Sequence, residues 1–334
     1  MPRFSDFCVG TMAGALLLAG CAGVAPTATT LTGTTVPTPV QPLQRITYPS
    51  VFVTDYDYAL TVVVLGSAGT TVARIPGYHP AVDGAGNIYV VSCLLGYRNC
   101  TSASINVYSP DPFEIVRSLP VGPGTKIQNV NDVTVSAAGE IFVNDGNGIA
   151  VFSPTANGDA DPVRRIVGKF PAAGYYPVMP VDGAGNLYVP FGEGIAVFGP
   201  NDTGAISPSR VINVKPGQLA TDSRGNLYVL GDSVRNDGLN PFGVTEYDAA
   251  ASGNAVPLRY ITYPGMDTTG WNDIPGIAVD AAGTIYVSAT FGNRTTNQWG
   301  GPGVWEFAAD ASGSVAPLKI LTWNGENNGG IAVH

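Results

Sequence analysis

The sequence predicts an all-β protein, a six-bladed β-propeller with four-stranded blades. Three observations predict it. A ten-residue segment recurs five times at blade-like intervals, the composition suits short strands and tight turns, and the two chain ends carry complementary parts of one further repeat. The 334 residues include 43 Gly and 27 Pro, and only 12% are charged. Gly supplies positive φ and Pro fixes φ near −65°, so both concentrate where the chain reverses. An apolar fraction of 45% is enough to fill a large core.

The repeat fixes the elements in order. Residues 81–90 read AVDGAGNIYV and return as PVDGAGNLYV at 180–189, ATDSRGNLYV at 220–229 and AVDAAGTIYV at 278–287. A degenerate copy, TVSAAGEIFV, occupies 134–143. The anchor positions Asp83, Ser136, Asp182, Asp222 and Asp280 are separated by 53, 46, 40 and 58 residues, a spacing that fits one four-stranded blade with variable loops. Within each copy a strand a runs into the anchor, a Gly-containing turn reverses the chain, and a strand b with a Tyr or Phe follows. Strand c comes next, at 105–108, 149–152, 195–198, 244–247 and 304–307. Strand d then carries Arg117, Arg164, Arg210, Arg259 or Lys319, a column expected to be solvated and to guard the outer blade edge.

The ends supply the sixth blade. Residues 330–334 (GIAVH) match 276–280 (GIAVD) and form a lone strand a. Residues 50–54, 62–65 and 72–75 supply b, c and d without an a. Joining them closes the ring from both termini and leaves no open seam.

This pattern resembles NHL repeats and the related six-bladed propellers of bacterial extracytoplasmic proteins, over residues 50–334. The resemblance implies the fold. Its hosts range from interaction modules to lyases and lactonases, so it does not select a function.

The first 20 residues read as a signal peptide. Arg3 gives a short basic region, Val9 to Ala19 an apolar stretch too short to span a bilayer. It ends Leu18-Ala19-Gly20-Cys21, which looks like a bacterial lipobox and makes Cys21 the lipidation site, with palmitate among its acyl chains. Each buried CH₂ of such a chain contributes about 0.8 kcal/mol of membrane binding. Residues 21–46, rich in Thr and Pro, form a tether, and the propeller occupies 47–334. The expected location is the bacterial cell envelope, anchored to a lipid bilayer. Ala22 is compatible with outer-membrane sorting in a Gram-negative cell.

Cys93 and Cys100 remain in the body, and in an oxidising compartment a local disulfide is their natural reading. A net charge of −9 disfavours nucleic acid as a partner. The body is expected to be a monomer.

Functional residues belong on one rim. The a–b turns are short and uniform, whereas the b–c loops vary from minimal (145–148, 192–194) to long (92–104, 231–242, 289–303). Variation on one face of a rigid scaffold marks a binding surface. Two residues before each anchor stand Ala81, Thr134, Pro180, Ala220, Ala278 and Ala332, a small-residue column around the axis. Four before it, nearer that rim, stand His79, Asp132, Val178, Gln218, Gly276 and Gly330. The d–a loops add Asn129, Asn131, Trp271, Asn272, Asp273, Glu326, Asn327 and Asn328. Two readings compete. In the first, the rim binds an envelope protein, a peptide or a glycan through its Trp, Tyr and Asn side chains. In the second, Asp132, Asn272, Asp273 and Glu326 hold Ca²⁺ or Mg²⁺, similar to gluconolactonase-like propellers in which a divalent ion supports a lactonase, hydrolase or lyase reaction. The repeated Asp of the a–b turns is expected to serve its own turn by Asx-type hydrogen bonding.

Overall fold

The computed structural model describes residues 50–55, 61–93, 103–170, 178–232, 242–263, 276–293, 298–323, 325 and 328–334. Cys21, the tether, Cys100, Trp271, Asn272, Asp273, Glu326 and Asn327 lie outside these residues, as does the side chain of Cys93. The described residues contain no helix and fold as a six-bladed β-propeller.

The blades follow the chain. The first begins at β1 (Val51–Asp55), β2 (Thr61–Leu65) and β3 (Thr71–Pro76). The second is β4 (Tyr78–Val82), β5 (Ile88–Cys93), β6 (Ala103–Tyr108) and β7 (Ile115–Val121). The third is β8 (Asp132–Val135), β9 (Ile141–Asn144), β10 (Gly148–Phe152) and β11 (Arg164–Val167). The fourth has β12 (Leu187–Phe191), β13 (Gly194–Phe198) and β14 (Arg210–Ile212). Its inner strand is reduced to a bridge between Val181 and Leu187. The fifth is β15 (Gln218–Thr221), β16 (Leu227–Asp232), β17 (Phe242–Tyr247) and β18 (Arg259–Thr262). The sixth is β19 (Gly276–Val279), β20 (Ile285–Asn293), β21 (Gln298–Phe307) and β23 (Lys319–Thr322), after the short β22 (Gly313–Ser314).

The last strand, β24 (Asn328–Val333), pairs antiparallel with β1, with Ala332 opposite Phe52. Mutual hydrogen bonds between Ser50 and His334 extend the ladder past the last residue of β24. The closure expected from the sequence is therefore the observed one.

The core is divided among the blade junctions. Six apolar clusters each join two neighbouring blades, for example Phe142, Ile166, Leu187 and Phe198 between the third and fourth. Tyr89, Tyr188, Phe52, Phe142, Phe198 and Trp305 are among the largest fully buried side chains. Each such burial contributes about 1.5–3 kcal/mol, and because every cluster straddles two blades, no blade buries its faces alone.

The a–b turns behave as expected. Asp83 Oδ1 accepts hydrogen bonds from the Ala85 and Asn87 amides, both at 2.9 Å, and its Oδ2 accepts from Asn87 Nδ2 at 2.8 Å. Asp182 and Asp222 repeat this set. Gly86, Gly185, Gly225 and Gly283 follow at φ of 82–87°, a conformation costly for any residue with a Cβ.

The strand-d column departs from expectation. Arg117 and Arg210 do not guard the outer edge; each reaches across its blade to the Tyr of strand b. Arg117 donates to the Tyr89 hydroxyl at 3.1 Å and Arg210 to Tyr188 at 3.0 Å. Arg164 lies over the Phe142 ring at 5.3 Å, and Arg259 pairs with Glu246 on strand c. The register explains this. Tyr89, Val107 and Arg117 lie in one row across three strands, so all three side chains share one face of the sheet.

The outer edge is covered instead by the c–d loop of the next blade, which forms a short parallel bridge to strand d. Ile166 meets Gly204, Ile212 meets Gly253 and Ile261 meets Gly313. Backbone bonds such as Gly204 N to Arg165 O, 2.7 Å, occupy the edge that would otherwise template aggregation.

Candidate functional site at the channel mouth

All six inner strands or their equivalents contribute to a central cavity of about 160 Å³. The whole small-residue column, from Ala81 and Thr134 round to Ala332, lines it. His79, Asp132, Val178 and Gly330 lie at its mouth, while Gln218 and Gly276 do not line it. Of the polar residues expected there, the fold brings His79 and Asp132 together.

How His79 arrives there was not legible in the repeat. The register of β4 against β5 shifts between Tyr78, opposite Val91, and Ala81, opposite Tyr89. One extra residue is thus accommodated, a β-bulge, and His79 occupies it at φ +52°. Among the described residues it is the only non-glycine with positive φ, and it stands directly before Pro80. Such backbone strain is held only where the surroundings over-determine it. Here they include Gly330, whose Cα side lies against Pro80 and His79, and the Tyr78 ring, edge-on to the imidazole with centroids 5.1 Å apart.

The bulge places His79 Nδ1 3.7 Å from Asp132 Oδ1 on the neighbouring blade. Both side chains are buried, His79 being 5% and Asp132 1% exposed. Burial pushes the His79 pKa down to about 4 and the Asp132 pKa up to about 8. Two backbone donors oppose the Asp132 shift: Val133 N donates to Oδ1 and Met179 N to Oδ2, each at 2.9 Å. Desolvation outweighs them, so at neutral pH the imidazole is uncharged and the carboxyl holds its proton. Contact at ion-pair range thus joins two neutral groups.

Both oxygens of the Asp132 carboxyl accept backbone amides, one from its own strand and one from the fourth blade. Its visible work is to tie the inner strands of the second, third and fourth blades together. No group of three or more His, Cys, Asp or Glu placed to hold an ion occurs among the described residues.

The rim beside this pair has a hollow of about 350 Å³ whose wall includes Tyr78, Gln128, Asn129 and Asn131. Asn129 Nδ2 donates to Asn131 Oδ1 at 3.0 Å, and the Asn131 amide donates to Asn144 O at 2.8 Å. These loop asparagines, expected on the rim, are therefore held rather than loose. The stretch 289–303, expected as a long loop, is largely strand. β20 runs to Asn293 and β21 begins at Gln298, so the b–c ladder of the sixth blade is longer than those of the other blades among the described residues.

No family model matches this chain, and no curated protein matches its sequence. Solved structures share its fold. A protein of unknown function from Bacteroides caccae superposes with a TM-score of 0.55 at 12% identity, over 85% of this chain and 98% of that one. Apo AztD from Citrobacter koseri gives a TM-score of 0.41 at 12% identity, over 85% of this chain and 97% of that one; at that score the likeness carries no argument. What the chain shares with the Bacteroides caccae protein is the fold alone.

Proposed function

We propose that this chain is a membrane-tethered, extracytoplasmic, NHL-like propeller that serves as a binding module for a protein, peptide or glycan of the bacterial envelope. The observation that carries this reading is the difference between the two faces. One presents short turns, four of them anchored by Asp and closed on themselves by hydrogen bonds. The other presents the strained His79 bulge, the Asn129–Asn131 hollow and the long β20–β21 ladder. A rigid ring with chemistry gathered on one rim is the arrangement of a recognition surface. The same reading takes Cys21 as the lipid anchor and Cys93 with Cys100 as a disulfide of the rim loop.

The test is capture of partners by the full chain from detergent-solubilised envelopes. Alanine at Trp271 and Asn272, together with Trp299 of the 289–303 stretch, is expected to leave the far-ultraviolet spectrum and Tm unchanged while abolishing capture. Undiminished capture by that variant would overturn the rim assignment. A Tm that rises in Ca²⁺ and falls in EDTA would favour the metal-dependent alternative.

A further inference from the structure

The wall of the central channel is not uniform. In the third blade strands a and b are joined pair by pair from Asp132 with Asn144 to Val135 with Ile141, and in the fifth from Gln218 with Leu230 to Thr221 with Leu227. In the fourth, only Val181 and Leu187 make such a bridge, although Val178, Pro180 and Val181 line the same cavity.

Two prolines account for the loss. Counting on from that bridge, Pro180 faces Tyr188 and Val178 faces Pro190. Tyr188 N donates to Pro180 O at 3.0 Å. In an antiparallel ladder the pairs that exchange both backbone bonds alternate, so 180 with 188 is one such pair and 178 with 190 is the next. A proline stands in each, and proline has no N–H to give. Two of the bonds a regular ladder would make here are therefore impossible, and the bond from Val178 N to Pro190 O is not formed. The Tyr188 bond alone holds residues 178–181 to the ladder of their own blade.

Neighbouring blades hold the segment instead. Asp132 Oδ2, from the third blade, accepts from Met179 N at 2.9 Å, and Thr221 Oγ1, from the fifth, donates to Val181 O at 3.4 Å. The Met179 side chain is buried in the junction with the third blade, among Phe142, Ile166 and Leu187. Local opening draws on elements with few backbone bonds to lose, and among the inner strands this segment has the fewest described.

We propose that residues 178–181 form a movable wall of the central channel, with Asp132 as its latch. When the wall swings out, Met179 leaves the junction and the channel mouth beside His79 widens, while the ladders of the neighbouring blades stay closed. The device controls access to the channel and does not depend on what the rim binds.

Hydrogen exchange read at single amides of the full chain in detergent tests this, with peroxide oxidation of Met179 as the second readout. The Tyr188 amide should exchange at least about tenfold faster than its counterparts at Phe142 and Tyr228, which face Thr134 and Ala220 in intact ladders. Pro180→Ala/Pro190→Val restores both donors and should slow Tyr188 exchange and Met179 oxidation about tenfold. Asp132→Ala removes the latch and should speed both by a similar factor. A Tyr188 amide as slow as those of Phe142 and Tyr228 would overturn the assignment, and so would unchanged Met179 oxidation in either folded variant. Should neither variant fold, the comparison of the three amides in the parent chain decides alone.

Discussion

At the scale of single residues, the anchor and the strand-b aromatic are chosen together. Where the anchor is Asp the aromatic is Tyr, as in Asp83 with Tyr89, Asp182 with Tyr188, Asp222 with Tyr228 and Asp280 with Tyr286; the hydroxyl donates to Oδ2 at 2.9–3.4 Å. Where the anchor is Ser136 or His334 the aromatic is Phe142 or Phe52, and the hydroxyl is gone along with its acceptor. Burial beside the carboxylate pushes the Tyr89 and Tyr188 pKa values up to about 12, so each keeps its proton to donate. Asp182→Asn and Tyr188→Phe should therefore be non-additive, with a coupling of about 1 kcal/mol in a double-mutant denaturation cycle; strict additivity would show the bond to be idle. The channel pair makes a second prediction, in pH. Asp132 binds its proton more tightly folded than unfolded, so its contribution to stability declines as pH rises through about 8. His79 resists protonation when folded, so its contribution is lost as pH falls from its ordinary value toward about 4. The two slopes oppose one another between about pH 4 and 6.5. Above that range Asp132 is the member of the pair that titrates, and its contribution should fall by up to about 1.4 kcal/mol per pH unit until about pH 8. Asp132→Asn, neutral at every pH, should be flat from pH 6.5 to 8 in urea unfolding; a retained slope would assign the titration elsewhere.

At the scale of elements, ring closure depends on one six-residue strand arriving from the far end of the chain. Without β24 the exposed inner edge of β1 and the open face of the sixth blade would both meet water. Deleting residues 328–334 should abolish cooperative thermal unfolding and drive the protein into aggregates on gel filtration. The opposite experiment is a circular permutant. Val82 and Ile88 are paired across a five-residue turn, and Val333 and Val51 are paired with His334 and Ser50 already present between them. A Gly-Ala-Gly link from His334 to Ser50, with new ends in the exposed 157–161 loop, completes a turn of the native length. That permutant should unfold at higher urea than the parent, because closure becomes a local hairpin. A lower midpoint would mean that the terminal junction carries strain the turn cannot absorb.

At the scale of the whole molecule, six junction cores and neighbour-covered edges make the ring a stiff platform, on which the blades differ individually. The first and third blades lack the carboxylate–hydroxyl pair, the fourth has a shortened inner strand, and the sixth has a longer b–c ladder than the other blades among the described residues. The proposed membrane attachment belongs to this scale too. Cys21→Ser should move the protein from the membrane pellet to the soluble fraction and remove labelling by a palmitate analogue; persistent labelling would refute the lipid anchor.

The sequence by itself determined the period, the number of blades, the strand order and the closure. Each of these follows from hydrogen bonding between chain neighbours and from a repeated turn whose Asp and Gly are visible as letters. The expectation that small residues line the axis held for the same reason, since alternation along a strand is a local property. Only the tertiary structure decided what depends on distances between blades. It turned Arg117 and Arg210 inward, where their place on strand d had put them at a wet edge, because side chains in one row across three strands share one face. It brought His79 to Asp132 through a bulge that no repeat count reveals, since the extra residue is absorbed by a backbone conformation and not by a change of period.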